Sequence, residues 1–516
     1  MWQAEGGGAA AGPLGSHTPV WHFVALPCGR LSVVCLWRGP RRGFLGSEAM
    51  SYTHYDRLSA LDATFLELES PSVHMHVGSV HLFDGEPLRT SEGGLDIERI
   101  YTLAEPALRR SARFRQRIER IPIFDHPVWV DDTGFNLQYH LRHTSLPEPG
   151  DARQLKRLAG RIFSQKLDPN RPLWEMWFVE GLEDGRFAVI MKAHHCMIDG
   201  VSGADLLVGF MQDTPGAGEE SSTPRWVPRP APGPTQLFAD EFARRASLPA
   251  KAARAGLAAL REPLRALEEA RKGVGAVVEA LGAGLGSASP TPLNDDIGPY
   301  RRFDWTRFEL AAVKEVKSRL GGTLNDVVIA VVAGAMRRFL QRRAVDVDGL
   351  DFRAMMPVNV RREDQHGKLG NRVAFLMARL PVDERDPIKR LARVIETTRG
   401  LKDSSTVEGG ELLEELSDWT ATALFAGVSR LAASTRSYNM VVTNVPGPQF
   451  PVYILGAKMQ EIYPLVPLFS NQALGIALFS YDGSLFWGFN ADWDAVPDLH
   501  ELVEMVQDEF ETLRKP

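Results

Sequence analysis

Cysteine is nearly missing from this chain: Cys28, Cys35 and Cys196 are all it has. Two of them stand in an odd N-terminal leader, which leaves Cys196 alone in the body. That is no disulfide framework, and it fits a reducing, cytosolic setting. Long apolar runs are missing too. The longest of interest, VVIAVVAGAM from Val327 to Met336, falls well short of the ~18 residues that suggest a membrane-spanning helix. Nor is charge of one sign in excess. A net charge of −6 over 516 residues is mild and gives no electrostatic case for nucleic acid. No short-period repeat is visible. What remains is 44% apolar and 24% charged residues, the proportions of a folded soluble protein. The chain is too long for one core, so two or three domains are expected.

Residues 1–49 stand apart. GGGAAAGPLG is low-complexity, and the apolar stretch after it is broken by Pro27, Gly29 and Arg30. It lacks the basic start and clean apolar core of a signal peptide. A disordered leader is expected, with the functional protein starting near Met50. Residues 50–213 then mix strand-like and helical runs. VHMHVGSVHLF (Val73 to Phe83) alternates as a strand does, and the segment after it reads as a helix broken near Pro106. LWEMWFVEGLEDGRFAVIMKAHH reads as a hairpin, with Gly185 where positive φ costs nothing. GADLLVGFMQD follows as a helix capped by Ser202.

Residues 214–300 change character. A Pro/Gly/Ser linker leads into Ala/Arg-rich sequence interrupted by Pro249 and Pro263, which predicts short amphipathic helices. A second α/β half spans 301–516. It holds a helix in TLNDVVIAVVAGAMRRFL, strands in DFRAMMPVNVR, NRVAFLMARLPV and YNMVVTNVPGP, a long helical region near 387–433, a hairpin about Asp482-Gly483, and a closing helix.

The most chemical stretch is KAHHCMIDGVSG, Lys192 to Gly203. In a strand, successive side chains point to opposite faces, so His194 and His195 diverge and one of them at most faces a given cleft. A neutral imidazole takes a proton from a hydroxyl near pH 7. Asp199 and Gly200 suggest a sharp turn whose carboxylate anchors the motif. Ordinary histidines in a turn remain the bland alternative. A metal site on His195 and Asp199 is disfavoured by Gly200 and by the lack of further ligands nearby. A Cys196–His195 dyad is disfavoured because sequence neighbours diverge. GVGAVV (Gly273 to Val278) lacks the third glycine of a dinucleotide loop.

The pattern His-His-x-x-x-Asp-Gly, ending a strand in a two-half α/β chain, resembles the CoA-dependent acyltransferase superfamily. Further stretches narrow the resemblance: LSALDATFLELESPSVHMHVG, FRQRI, PVWVDDTGFNLQYHLRHTSLPEPGD, RPLWEMWFVEGL, TLNDVVIAVVAGAMR, MMPVNVR, LGNRVAFLMARLP and TNVPGP. In this order they look like the bacterial wax ester synthase/diacylglycerol acyltransferase family. The family's usual PMHVG appears as His74-Met75-His76-Val77-Gly78.

The resemblance implies two chloramphenicol-acetyltransferase-like halves, each a mixed sheet flanked by helices, with the active-site channel between them. It implies transfer of a long-chain acyl group from acyl-CoA, a co-substrate, to diacylglycerol or a long-chain alcohol, with no cofactor, no metal and no acyl-enzyme. His195 would be the general base and His194 would shape the pocket. Asp199 would hold the motif loop through an arginine, with Arg361 the candidate. Pro172, Leu173, Trp174, Asn325 and Asp326 match family motifs and are expected to be scaffold or tunnel-shaping. Thr443 or Asn444 is a candidate oxyanion donor. An insoluble product implies peripheral association with the inner membrane or lipid droplets, and the basic helices between Phe238 and Leu281 would suit such an interface. Three rivals stay open: a condensation-type enzyme fed by a carrier protein, a non-catalytic lipid-binding protein on the same scaffold, and a metallohydrolase, which would lose activity on chelation.

Overall fold

The computed structural model describes residues 54–109, 111–197, 211–216, 226–259, 287–359, 373–402 and 436–515. Thr53–Pro516 form one compact unit. The first half runs β1 (Tyr55–Arg57), α1 (Ala60–Leu68), β2 (His76–Phe83), α2 (Ile97–Arg109), β3 (Gln116–Arg120), β4 (Pro127–Asp131), α3 (Leu137–His140), β5 (Leu141–Ser145), α4 (Ala152–Ser164), β6 (Trp174–Glu180) and β7 (Phe187–His194). A helix α5 (Pro234–Ala259) leads towards the second half. That half holds β8 (Arg301–Glu309), α6 (Leu310–Leu320), α7 (Leu324–Arg342), β9 (Phe352–Asn359), β10 (Val373–Leu380), α8 (Pro387–Lys402), β11 (Met440–Pro446), β12 (Tyr453–Ile454), β13 (Ala457–Leu465), β14 (Leu474–Tyr481), β15 (Ser484–Asp492) and α9 (Leu499–Arg514).

The architecture is α/β with two mixed six-stranded sheets and one small sheet. The first large sheet has the order β12-β13-β2-β7-β6-β5, the second β10-β9-β11-β14-β15-β8, and the small sheet is β1-β4-β3. Most ladders are antiparallel, with parallel pairs β5–β6, β9–β11 and β11–β14. The expected hairpins form: β6 pairs β7, and β14 pairs β15 around Asp482 and Gly483, both at positive φ as a two-residue turn requires.

Two of the first large sheet's strands come from the far end of the chain. β13 lies beside β2, with Met459 opposite Phe83 and Tyr463 opposite Val80. The same strand packs against the second sheet, where Tyr463 stacks on Trp305 with ring centroids 4.8 Å apart. Gly488 of β15 explains how the backbones come so close: a Cβ there would lie 1.8 Å from the Pro464 carbonyl oxygen. On another side α4 meets β8, and the Ser164 hydroxyl accepts from the Arg301 N–H at 2.8 Å.

Each large sheet has its own core. The first gathers Phe83, Ile100, Leu155, Trp174, Phe178 and Phe187. The second wraps α7, whose residues from Val327 to Met336 are buried all round, with Leu391, Trp487, Phe489 and Val506. Phe65, Val73 and Met75 belong to the first half in sequence but to the second core in space.

Two prolines do not act as expected. Pro106 lies inside α2 rather than ending it. α5 runs continuously past Pro249 in place of shorter pieces. A proline removes one hydrogen bond, and in α2 the buried face of Ile100, Ala104, Ala107 and Leu108 outweighs that loss. Among the described residues no single helix is long and apolar enough to cross a membrane. α6 and α7 together have the length and composition but meet at 94°, and α7 is a core helix.

Candidate active site

β7 delivers the histidine pair. It is buried along its whole length, and its Lys192 has its ammonium group inside, donating to the carbonyls of Ile162 (2.8 Å) and Gln165 (2.7 Å) and pairing with Glu175 at 2.6 Å. A buried ammonium needs all three partners. The strand ends at His194, opposite His76 of β2. His195–Met197 then turn as one short 3-10 segment.

At that change from strand to turn the two rings part. The His194 ring is buried and lines a cleft of about 450 Å³, whose walls include Leu173, Leu167, Lys166, Glu69 and the β3 residues Arg117 to Arg120. The His195 ring is half-buried and stacks on Phe65, with centroids 3.9 Å apart and planes 26° apart. The His195 backbone N–H donates to the Met75 carbonyl at 2.7 Å. Phe65 and Met75 belong to the second core, whereas Cys196 and Met197 belong to the first. His195 therefore sits where the cores of the two halves meet, while the cleft itself is lined by His194.

The main chain separates the chemistry of the two rings. The Cys196 N–H donates to His194 Nδ1 at 3.1 Å. That nitrogen is an acceptor, so a neutral His194 carries its proton on Nε2. Nε2 faces the Glu69 carboxylate at 3.4 Å. His194 has no free lone pair for another proton. In His195, Nδ1 is buried and takes no hydrogen bond from another side chain among the described residues, and the only backbone group acting on the ring is its own. Burial first, and His194 second, pull the His195 pKa down to about 4. The ring is neutral at neutral pH; in the tautomer with its proton on Nδ1, Nε2 is the basic atom.

Glu69 was not apparent as a site residue in the sequence. Its carboxylate meets Lys166 at 2.9 Å, His194 at 3.4 Å, His76 at 3.9 Å and the Met75 N–H at 3.4 Å. Burial raises its pKa, but His194 and Lys166 more than offset this and hold it below the usual carboxylate range. The available signal was a carboxylate just ahead of the HMH run. Its partners His194 and Lys166 lie about a hundred residues on and only the fold assembles them.

The other expected residues fall into three groups. Pro172-Leu173-Trp174 lie beside the histidines: the Leu173 carbonyl accepts from the His194 N–H at 2.9 Å. Trp174 is fully buried, its indole N–H donating to the Phe114 carbonyl at 2.8 Å and its ring stacked on His140. Asn325 and Asp326 open α7. Asp326 forms a capping box with Thr323 and accepts from the Thr398 hydroxyl at 2.7 Å, which ties α7 to α8. Asn325 accepts from the Asn444 amide at 2.6 Å, so the start of α7 and the end of β11 are joined. Thr443 lies half-exposed on β11 opposite Ala477. Asn325 and Asn444 hydrogen-bond each other and neither histidine. Asp199, Gly200, Arg361 and the helix expected after Ser202 lie outside the described residues. No group of three or more His, Cys, Asp or Glu side chains among the described residues has the arrangement to hold a metal ion.

Comparison with known proteins decides the family. The sequence matches the wax ester synthase/diacylglycerol acyltransferase catalytic-domain model over residues 58–328 and the C-terminal domain model of the same family over residues 369–514. The chain belongs to the wax ester synthase/diacylglycerol acyltransferase family. It is an acyltransferase. A putative diacylglycerol O-acyltransferase of Mycobacterium tuberculosis is 34% identical over 461 residues, covering 86% of this chain and 87% of the relative. A probable diacylglycerol O-acyltransferase of the same organism is 30% identical over 463 residues, covering 88% and 94%. Among solved structures, the wax ester synthase/diacylglycerol acyltransferase from Marinobacter aquaeolei superposes with a TM-score of 0.62 at 27% identity, covering 89% of this chain and 98% of the other. The first condensation domain of the calcium-dependent antibiotic synthetase shares the fold at a TM-score of 0.54 and 18% identity, covering 90% and 97%.

Proposed function

We propose that the protein moves a long-chain acyl group from acyl-CoA to the hydroxyl of diacylglycerol, or of a long-chain alcohol, giving triacylglycerol or wax ester and free CoA. The observation that carries this is the division of labour between two adjacent imidazoles. His194 has Nδ1 occupied by a backbone N–H and Nε2 directed at a carboxylate. His195 is half-buried where the two cores meet, and its ring makes no side-chain hydrogen bond among the described residues.

His195 Nε2 takes the hydroxyl proton as the oxygen attacks the thioester carbonyl. A C–O bond forms, the C–S bond breaks, and the imidazolium returns its proton to the departing sulfur. No covalent intermediate is needed, and acceleration comes from proton transfer and from holding two substrates in one channel. Glu69 acts as a positioning residue. It fixes the tautomer of His194, and through the Cys196 N–H the course of the turn that carries His195. Asp199 supports the same turn, and Thr443 or Asn444 donates to the developing oxyanion. The lipid acceptor brings the enzyme to a membrane or droplet surface peripherally, on the cytoplasmic side.

The test is a competition. Purified protein receives labelled palmitoyl-CoA with diolein and hexadecanol together, and products are separated by thin-layer chromatography. Labelled triacylglycerol or wax ester is expected, absent in His195→Ala. Transfer that persists unchanged in that variant, or acyl groups accepted only from a carrier protein, sinks the proposal.

A further inference from the structure

The small sheet β1-β4-β3 carries a surface that the chemistry above leaves unused. The β3–β4 turn closes with the Ile121 N–H on the His126 carbonyl and the Asp125 N–H on the Ile121 carbonyl. At its tip Ile123 takes a left-handed φ of 69°, and its side chain is 87% exposed. A β-branched residue rarely adopts that backbone conformation, and here it sets an aliphatic side chain into solvent. Next to it Phe124 stacks on Phe238 of α5 (5.6 Å), and Phe238 stacks on Phe242 (6.2 Å), which is 60% exposed. Phe238 and Phe242 are one helical turn apart on a stripe beside Leu237 and Glu241, the buried pair that docks α5 on the sheet.

Arginines flank this apolar strip. Arg245 lies over the Phe124 ring at 4.4 Å. Arg57, Arg244 and Arg245 all pair with Glu241, whose side chain is fully buried, while their own guanidinium groups stay about a third exposed. Arg120 pairs with Glu67 and with Asp125, the one mostly exposed acid in the group. Beside α5 the guanidinium groups of Arg57, Arg244 and Arg245 reach solvent while their shared carboxylate does not, so positive charge edges the strip there. An apolar strip edged by half-exposed guanidinium groups matches the layering of a lipid surface, acyl region inside and anionic headgroups outside. The same β3 strand forms one wall of the cleft that ends at His194.

We propose that Ile123, Phe124, Phe238 and Phe242 form the surface by which the protein docks on an anionic lipid surface, setting the mouth of the β3-walled cleft against it. This rests on the lipid-acceptor reading above, and its test reads binding without catalysis. The full-length protein is sedimented with phosphatidylcholine vesicles with and without phosphatidylglycerol. Combining Ile123→Glu with Phe242→Glu removes two inserted apolar side chains, so vesicle affinity should fall roughly tenfold or more. Ile123→Ser alone, at an exposed turn outside both cores, should lose part of it. Ile388→Glu, on α8 and as exposed as Phe242, should lose none. Transfer to dissolved butanol should survive in all three, while transfer to vesicle-borne diolein falls in step with binding. Unchanged vesicle binding by the double variant overturns the proposal. So does an oligomer that dissociates in the double variant while wild type ignores vesicles, since the strip is then an interface between copies. Wild-type binding without acyl transfer to any acceptor overturns the functional reading and leaves the docking surface standing.

Discussion

The two large sheets are alike in size and mixed strand direction, yet their interiors differ in kind. The second half buries ion pairs and no described histidine: Arg390 meets Glu509 at 2.5 Å and Arg301 meets Asp492 at 3.8 Å, while His500 is exposed and bound to Asp304 at 2.8 Å. The first half buries titratable groups at many points: His74, His76, His81, His126, His140, Lys192, Glu175 and His194. The architecture is doubled and the chemistry is not. The second half supplies the far wall of the junction, through Phe65 and Met75 packed into its core, and the first supplies the proton-handling groups.

The largest effect should come from the residue at the junction. His195→Ala is expected to lower kcat by about 10²- to 10⁴-fold, the range for losing a general base, with an unchanged melting temperature. Loss of folding instead would place His195 in a structural role. The next largest should break the contact between halves. Gly488→Ala drives a Cβ into the Pro464 carbonyl, and overpacking against backbone costs about 1–3 kcal/mol or more. Both halves should then melt together at lower temperature, whereas early melting of the second alone would show them to be independent. Glu69→Ala should cost about tenfold in kcat, less than the base itself, with little change in KM for acyl-CoA. Glu69→Gln, which keeps an acceptor for His194, should recover part of it. Equal losses in both variants would leave only the charge opposite Lys166 as its contribution.

The last contrast is a pH dependence belonging to the first half. Burial, above all, lowers the pKa of His81 to about 3 and of His126 and His140 to about 4. The unfolded chain binds protons at these sites near pH 6.5, and the folded chain does not. Stability is therefore full above about pH 6.5 and falls as the pH is lowered towards 4. Thermal midpoints measured across that window should drop, and hydrogen exchange should rise first in the β2–β7 region. A flat profile, or earlier loss in α7, contradicts the division.

Much of the fold was legible because it follows local rules. The β6–β7 and β14–β15 hairpins stood out by their turns, and the α7 segment by its apolar length behind a capping Thr323. The histidine pair stood out by spacing. What was illegible depended on partners distant in sequence. AKMQEIYPL, the β13 strand, has a weak pattern of its own and becomes a strand only because β2 offers it an edge. Glu69 becomes notable only when His194 and Lys166 arrive beside it. The basic end of α7 is likewise held by distant partners: Arg338 and Arg342 pair with Asp508 and Glu501 of α9, and Arg337 donates to the Val382 and Asp383 carbonyls.

The placement of β13 bears on how the enzyme is made. As the ribosome releases the chain, the strand carrying His194 appears long before Met459 reaches Phe83. Until then β2 presents a bare edge, the kind that invites aggregation. The nascent first half cannot mature by itself, so a product truncated before residue 457 should be a substrate for chaperones and proteases rather than a partial catalyst.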